Sequence, residues 1–230
     1  MGILHLKYIL NKYNIITILV IMVIYLFSLL INILNVQTED VVEVIRNTYF
    51  YNVTLILKLV VIILIVFVIA LSSTNYQESY QLFIISSRKE RVKFYLSKIL
   101  VLFIITTLII LILFVMFVLV GLICSKWFVI EEKHISFFVF LELNSFMYGM
   151  FTYNLIKLLN NLFVVIIPCF IVIFEEAFMY SELTKVISYV FPIIENGINP
   201  TMSYGIIHVI ILIICYIGIG LMRCYTLDIK

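Results

Sequence analysis

The chain has 230 residues, 65% of them apolar and 12% charged, with a formal net charge of +2. A water-soluble domain is about 45–50% apolar and about 25% charged, and mean hydropathy here is +1.24. That balance excludes a single soluble domain, a disordered tail, a disulfide scaffold and a soluble nucleic-acid binder, and places the chain in a lipid bilayer.

A helix crosses about 30 Å of hydrocarbon with about 20 apolar residues, and six such runs stand between polar clusters. Ahead of the first, Ile3, Leu4, Leu6, Ile9 and Leu10 with Lys7 and Lys12 predict a short interfacial helix. Span one covers 15–34. The Asn-Val-Gln-Thr-Glu-Asp that follows Leu34 has no small-x-small pattern, so the run does not read as a cleavable signal. Leu6 stands where a myristoylation site needs Ser or Thr. Span two covers 53–71 and is interrupted by Lys58, close enough to the outer end to snorkel outward. Span three, 99–124, is the longest and least polar.

Span four, 135–156, carries Glu142, Asn144, Ser145 and Asn154, and Glu142, Ser145, Gly149 and Thr152 fall at helical offsets on one polar, small-residue stripe. A charge at the bilayer centre costs about 2.5–3.5 kcal/mol on insertion scales. Lys58 and Glu142, expected at similar depth, therefore either pair inside the bundle or reach water independently. Span five, 162–178, contains Pro168, a gating hinge or a packing bend, and ends in Glu175 and Glu176. Span six, 202–222, includes Gly218-Ile219-Gly220, expected as a close-packing surface. Unbroken runs of this length are not the short alternating segments of a membrane barrel.

Charge orients the spans. With the N-terminus inside, Lys7, Lys12, Arg88, Lys89, Arg91, Lys93, Lys98, Lys157, Arg223 and Lys230 face the cytoplasm, against Arg46, Lys58, Lys126, Lys133 and Lys185 elsewhere. The positive-inside rule then places both termini in the cytoplasm. The four cysteines form no CxxC pair and read as packing residues, and the three histidines lie far apart, so no metal site is expected.

The cytoplasmic connection opens with Thr74 and Gln77 in capping-box spacing. Tyr76, Tyr80, Phe83, Ile84 and Ser87 follow at helical intervals, and five bases lie from Arg88 to Lys98, a cluster that could equally anchor the topology on anionic headgroups. The external stretch 179–203 is apolar at Leu183, Val186, Ile187, Val190 and Phe191 but interrupted by Glu182, Lys185, Pro192 and Pro200. Two short re-entrant helices, or a membrane-surface loop, fit it.

Glu78, an apolar stretch, Ser86-Ser87-Arg88-Lys89-Glu90-Arg91, then Tyr95-Leu96-Ser97-Lys98 entering a long apolar helix resembles the connection between the second and third membrane helices of ABC-2 type transporter permeases. Tyr80, Gln81 and Leu82 stand where that family commonly has Gly-Thr, as in a divergent branch. The resemblance implies an all-α polytopic membrane protein, one permease domain of six transmembrane helices. It would have a cytoplasmic coupling helix between spans two and three and short external re-entrant helices between spans five and six. It further implies that Glu78, Arg91 and Lys98 match the family's acid, base and lysine, and that Tyr80, Phe83, Ile84 and Arg88 share the surface that docks on a separate ATP-binding subunit.

The chain has no GxxxxGK[ST] phosphate cradle, so ATP and Mg would be held by that partner and no cofactor by this chain. The resemblance also implies a second permease copy or homologue, and export of an amphipathic peptide or hydrophobic antibiotic across a bacterial plasma membrane, for peptide export or self-immunity. No nucleic-acid partner is expected. A channel or membrane-embedded binding protein without an ATPase is the alternative, although only span four repeats polar positions as a pore would. The Glu175-Glu176 pair raises an intramembrane glutamate protease, but Tyr180 stands where EExxxR has Arg.

Overall fold

The computed structural model describes residues 12–36, 42–73, 87–159, 162–174 and 202–226. Among them the chain is all-helical: α1 (Lys12–Val36), α2 (Val42–Ser73), α3 (Arg88–Cys124), α4 (Glu132–Leu159), a 3-10 turn (Leu162–Val165) leading into α5 (Ile166–Ile173), and α6 (Met202–Thr226). Helices α1 to α4 and α6 are long and apolar enough to cross a membrane, so this is an all-α, multi-pass membrane protein.

The fifth expected span, 162–178, is described only in part. Over 162–178 the described chain is a 3-10 turn and an eight-residue α-helix closed at Phe174, a rise of about 12 Å for α5 against about 30 Å of hydrocarbon. Residues 175–178 lie outside the described residues. Pro168 accounts for the local winding, because it lacks the N–H that would bond the Val164 carbonyl. The tighter 3-10 turn falls directly before it, and Pro168 itself occupies the first turn of α5, where a missing donor costs little.

Two helices begin earlier than the apolar runs do, α2 at Val42 rather than Val53 and α3 at Arg88 rather than Ile99. For α3 the cause is local. The Ser87 hydroxyl accepts the Glu90 N–H at 3.2 Å, and the Ser-Arg-Lys-Glu order is a capping signal. Arg91, Tyr95, Lys98, Leu102 and Ile105 then continue one buried face into the apolar run.

Helix α4 is the hub of the bundle, packed on α2, α3 and α6. It runs antiparallel to α3: Phe114 meets Phe138 at 4.9 Å between ring centres, Phe103 meets Phe146 at 5.2 Å and Tyr95 meets Tyr153 at 6.0 Å. It runs parallel to α2, where Phe50 lies 4.6 Å from His134 and 5.6 Å from Phe137, and Ile65 and Ile69 lie against Gly149. It also runs parallel to α6, with Phe140 over Gly205 and Phe151 5.5 Å from Tyr216. Helix α1 packs on α2 and α3 and turns Leu19, Val23 and Phe27 outward, the lipid-facing side of such a bundle. Helix α5 packs on α2 and α4.

Gly149 sets the α2–α4 approach. A Cβ there would lie 2.6 Å from Ile69 Cδ1 and 3.1 Å from Ile65 Cγ2. Gly149→Leu should overpack the seam by about 1–3 kcal/mol, lowering the melting temperature in detergent by about 5 °C; an unchanged melt would contradict so close an approach. The Gly218–Gly220 surface is half as expected. A Cβ on Gly220 would collide with the Tyr95 hydroxyl and ring, whereas a Cβ on Gly218 would meet nothing within 4 Å.

Candidate functional site

The face of α2 turned to α4 carries Phe50, Thr54, Lys58, Val61, Ile65 and Ile69 at intervals of one helical turn. Because Phe50 lies against His134 and Phe137, and Ile65 and Ile69 against Gly149, Lys58 comes level with Glu142 and Leu143 of α4. Lys58 is only 4% exposed, which corrects the expectation that it snorkels outward. The physical reason is that α2 continues back to Val42, so Lys58 is mid-helix, with protein rather than a membrane surface around it.

Glu142 is half-buried and accepts a hydrogen bond from Thr107 Oγ1 of α3 at 2.5 Å. The same hydroxyl lies 3.0 Å from the Phe103 carbonyl. Ser145 and Thr152 are fully buried, and Thr152 satisfies its hydroxyl on the Tyr148 carbonyl at 2.7 Å. The polar stripe read in the sequence therefore faces the bundle, with Glu142 tied to α3 and Lys58 at the same height on α2.

A second polar group lies at the end of the bundle where α3 begins. Arg91 and Lys98 are buried, at 8% and 3% exposure, while Arg88 is exposed at the helix start. The expected docking surface thus divides: Arg88 faces outward and Arg91 and Lys98 face the bundle. Lys98 Nζ lies 4.7 Å and Lys157 Nζ 6.0 Å from the centre of the Tyr153 ring, cation–π placements. Asn154 Nδ2 donates to the Tyr216 carbonyl at 2.7 Å, with the Tyr95 hydroxyl at 3.5 Å from both partners. Arg91 and Arg223 both lie within electrostatic reach of Cys224. Glu78, Tyr80, Phe83, Ile84, Glu175 and Glu176 lie outside the described residues, as do the segments expected as the N-terminal interfacial helix and the bulk of the external re-entrant stretch.

The opposite end holds an arrangement that the reading of the sequence missed. The connection 125–131 folds back so that the Phe128 ring lies 2.6 Å from where a Gly121 Cβ would be, 9° from parallel with the His134 ring. Tyr49, Phe50, Phe117 and Phe137 complete an aromatic plug around it. Polar ties hold it: Arg46 Nε donates to the Trp127 carbonyl at 2.6 Å, Lys133 Nζ lies 2.7 Å from Glu131 and 2.9 Å from Asn47, and the Glu131 N–H donates to His134 Nδ1 at 3.0 Å. The Gly121–Phe128 spacing and the aromatic density were the available signals, but neither gives a partner by period.

The hydrogen bond from Lys133, helped by the charges of Lys133, His134 and Arg46, holds the Glu131 carboxyl below its usual 4.5. A carboxyl depressed in the fold stabilises it above the unfolded pKa and loses that contribution as pH falls through the folded value. Glu131→Gln should therefore melt below wild type at pH 7, with the two converging as pH falls through the depressed folded value of Glu131. A gap that persists in acid would show that the charge is not what Glu131 contributes.

Among the described residues no group of three His, Cys, Asp or Glu side chains is placed to hold a metal ion. No protein-family model matches the chain, and neither a curated protein nor a solved structure matches it.

Proposed function

We propose that this chain is the membrane-spanning subunit of an ATP-driven exporter, of the kind that ABC-2 permeases represent, with ATP hydrolysed in a separate subunit. The observation that carries the reading is α3. It is one continuous helix of 37 residues, about 55 Å long, from exposed Arg88 to the far end of the bundle, and it holds Glu142 through Thr107 on the way. Force applied at Arg88 moves the polar seam as a rigid lever rather than dissipating in a loop.

The six-span path follows the same logic. The parallel run of α4 and α6 supports a sixth crossing between them, which α5 would begin. The basic ends of α3, α4 and α6 lie together, and the positive-inside rule makes that side cytoplasmic, with both termini. A bacterial plasma membrane, a second permease copy and an amphipathic peptide cargo complete the proposal. Co-purification in nanodiscs with whichever Walker-type ATPase is encoded beside the gene tests it. A stable complex, weakened by charge reversal at Arg88 and Lys89, is the expected result; a chain that inserts yet binds no ATPase would overturn the exporter reading.

A further inference from the structure

Three buried threonines satisfy their hydroxyls on their own backbone, although the Ser97, Tyr25, Tyr49 and Tyr216 hydroxyls are buried without a partner. Thr54 bonds the Tyr51 carbonyl at 2.8 Å, Thr106 the Leu102 carbonyl at 2.8 Å and Thr152 the Tyr148 carbonyl at 2.7 Å. Asn144 and Ser145, at the middle of α4, do not. Both are 0% exposed, and neither the Asn144 Nδ2 and Oδ1 nor the Ser145 Oγ has a hydrogen-bond partner. The Leu141 carbonyl, one turn back, is the position a Ser145 hydroxyl ordinarily uses. Leaving a buried polar group unpaired costs about 1–3 kcal/mol, and the membrane interior supplies no water to reduce it.

The position is specific. Toward α3, helix α4 presents Phe138, Glu142, Phe146 and Tyr153; toward α6 it presents Phe140, Phe151 and Asn154; toward α2 it presents His134, Phe137 and Gly149. Asn144 falls between the α2 and α6 faces. The chemistry of the side chain narrows the ligand. An anion would leave Oδ1 unmatched and a cation would leave Nδ2 unmatched, whereas a group that both donates and accepts in one plane matches both. The N–H and C=O of one residue in an extended peptide point the same way and do so with two parallel hydrogen bonds.

We propose that Asn144 pairs with the backbone N–H and C=O of one extended residue of the cargo at the membrane midplane. This rests on the exporter reading and names its substrate class as peptide.

The test uses the purified full chain in nanodiscs, without ATPase or ATP, so that its failure and that of the exporter reading are separable. The probe is an acetylated, amidated leucine–alanine peptide of about ten residues, long enough to reach the midplane. The control is the same peptide with its amides N-methylated, which keeps the apolar mass and removes the donors. Wild type should bind the first at least tenfold tighter than the second. Asn144→Leu should melt about 5 °C higher than wild type without ligand and lose that discrimination, and Asn144→Ala should lose it as well. An Asn144→Leu variant that melts lower would mean that the amide is partnered within the fold and would overturn the proposal. So would variants that still discriminate, or a wild type that binds both peptides equally.

Discussion

Glu142→Gln and Lys58→Met should each lower the folded, detergent-extractable fraction several-fold, and the double variant should recover most of what either loses. Breaking a buried ion pair strands one charge at a cost of about 3–5 kcal/mol, whereas replacing both partners by groups of similar volume is often neutral. The α2–α4 register brings Lys58 level with Glu142 and keeps Lys58 at 4% exposure, and the Thr107 hydroxyl takes up one Glu142 oxygen. Single variants therefore leave a charge in protein and hydrocarbon, and the double variant leaves none. Folded yield and melting temperature of the four proteins form the cycle. Fully additive losses would show that the two groups are solvated separately.

The second large effect is on assembly. Arg88 and Lys89 are exposed in the first turn of α3, where reversing their charge changes the proposed docking surface without burying a carboxylate. Arg88→Glu with Lys89→Glu should abolish co-purification with the ATPase at physiological salt while leaving the melting temperature of the isolated chain within about 2 °C. Arg91→Glu should instead reduce folded yield, because Arg91 is 8% exposed and its replacement places an acid inside the bundle. The contrast separates residues that dock from residues that support the docking helix.

The sequence made the helical, membrane-spanning class legible because hydrocarbon demands long apolar runs and backbone that satisfies itself. It made helix ends less legible, since hydropathy marks what lipid touches and not where a helix starts. The first three turns of α2 show the difference. Arg46, Asn47 and Asn52 lower the hydropathy there, yet Ile45, Tyr49 and Phe50 recur at helical spacing and are buried. The start of α3 was readable in the Ser87–Glu90 cap, which a search for apolar runs passes over.

The polar stripe of α4 was found by its period, but the consequence of placing Asn144 beside it was not, because sequence does not say which buried polar groups find partners. Lys58 was misplaced for the same reason as the α2 boundary: its depth was measured from the wrong helix end. The aromatic plug under residues 125–131 had no periodic signal at all, since its rings come from α2, α3, α4 and the connection.

The central claim is that force enters this bundle through α3 from a separate ATPase, and co-purification of the full chain with that ATPase in nanodiscs tests it most directly. The account predicts a stable complex that survives Lys58→Met with Glu142→Gln, which lie mid-bundle, and is lost on Arg88→Glu with Lys89→Glu. A wild-type chain that inserts and melts normally but captures no ATPase would contradict it.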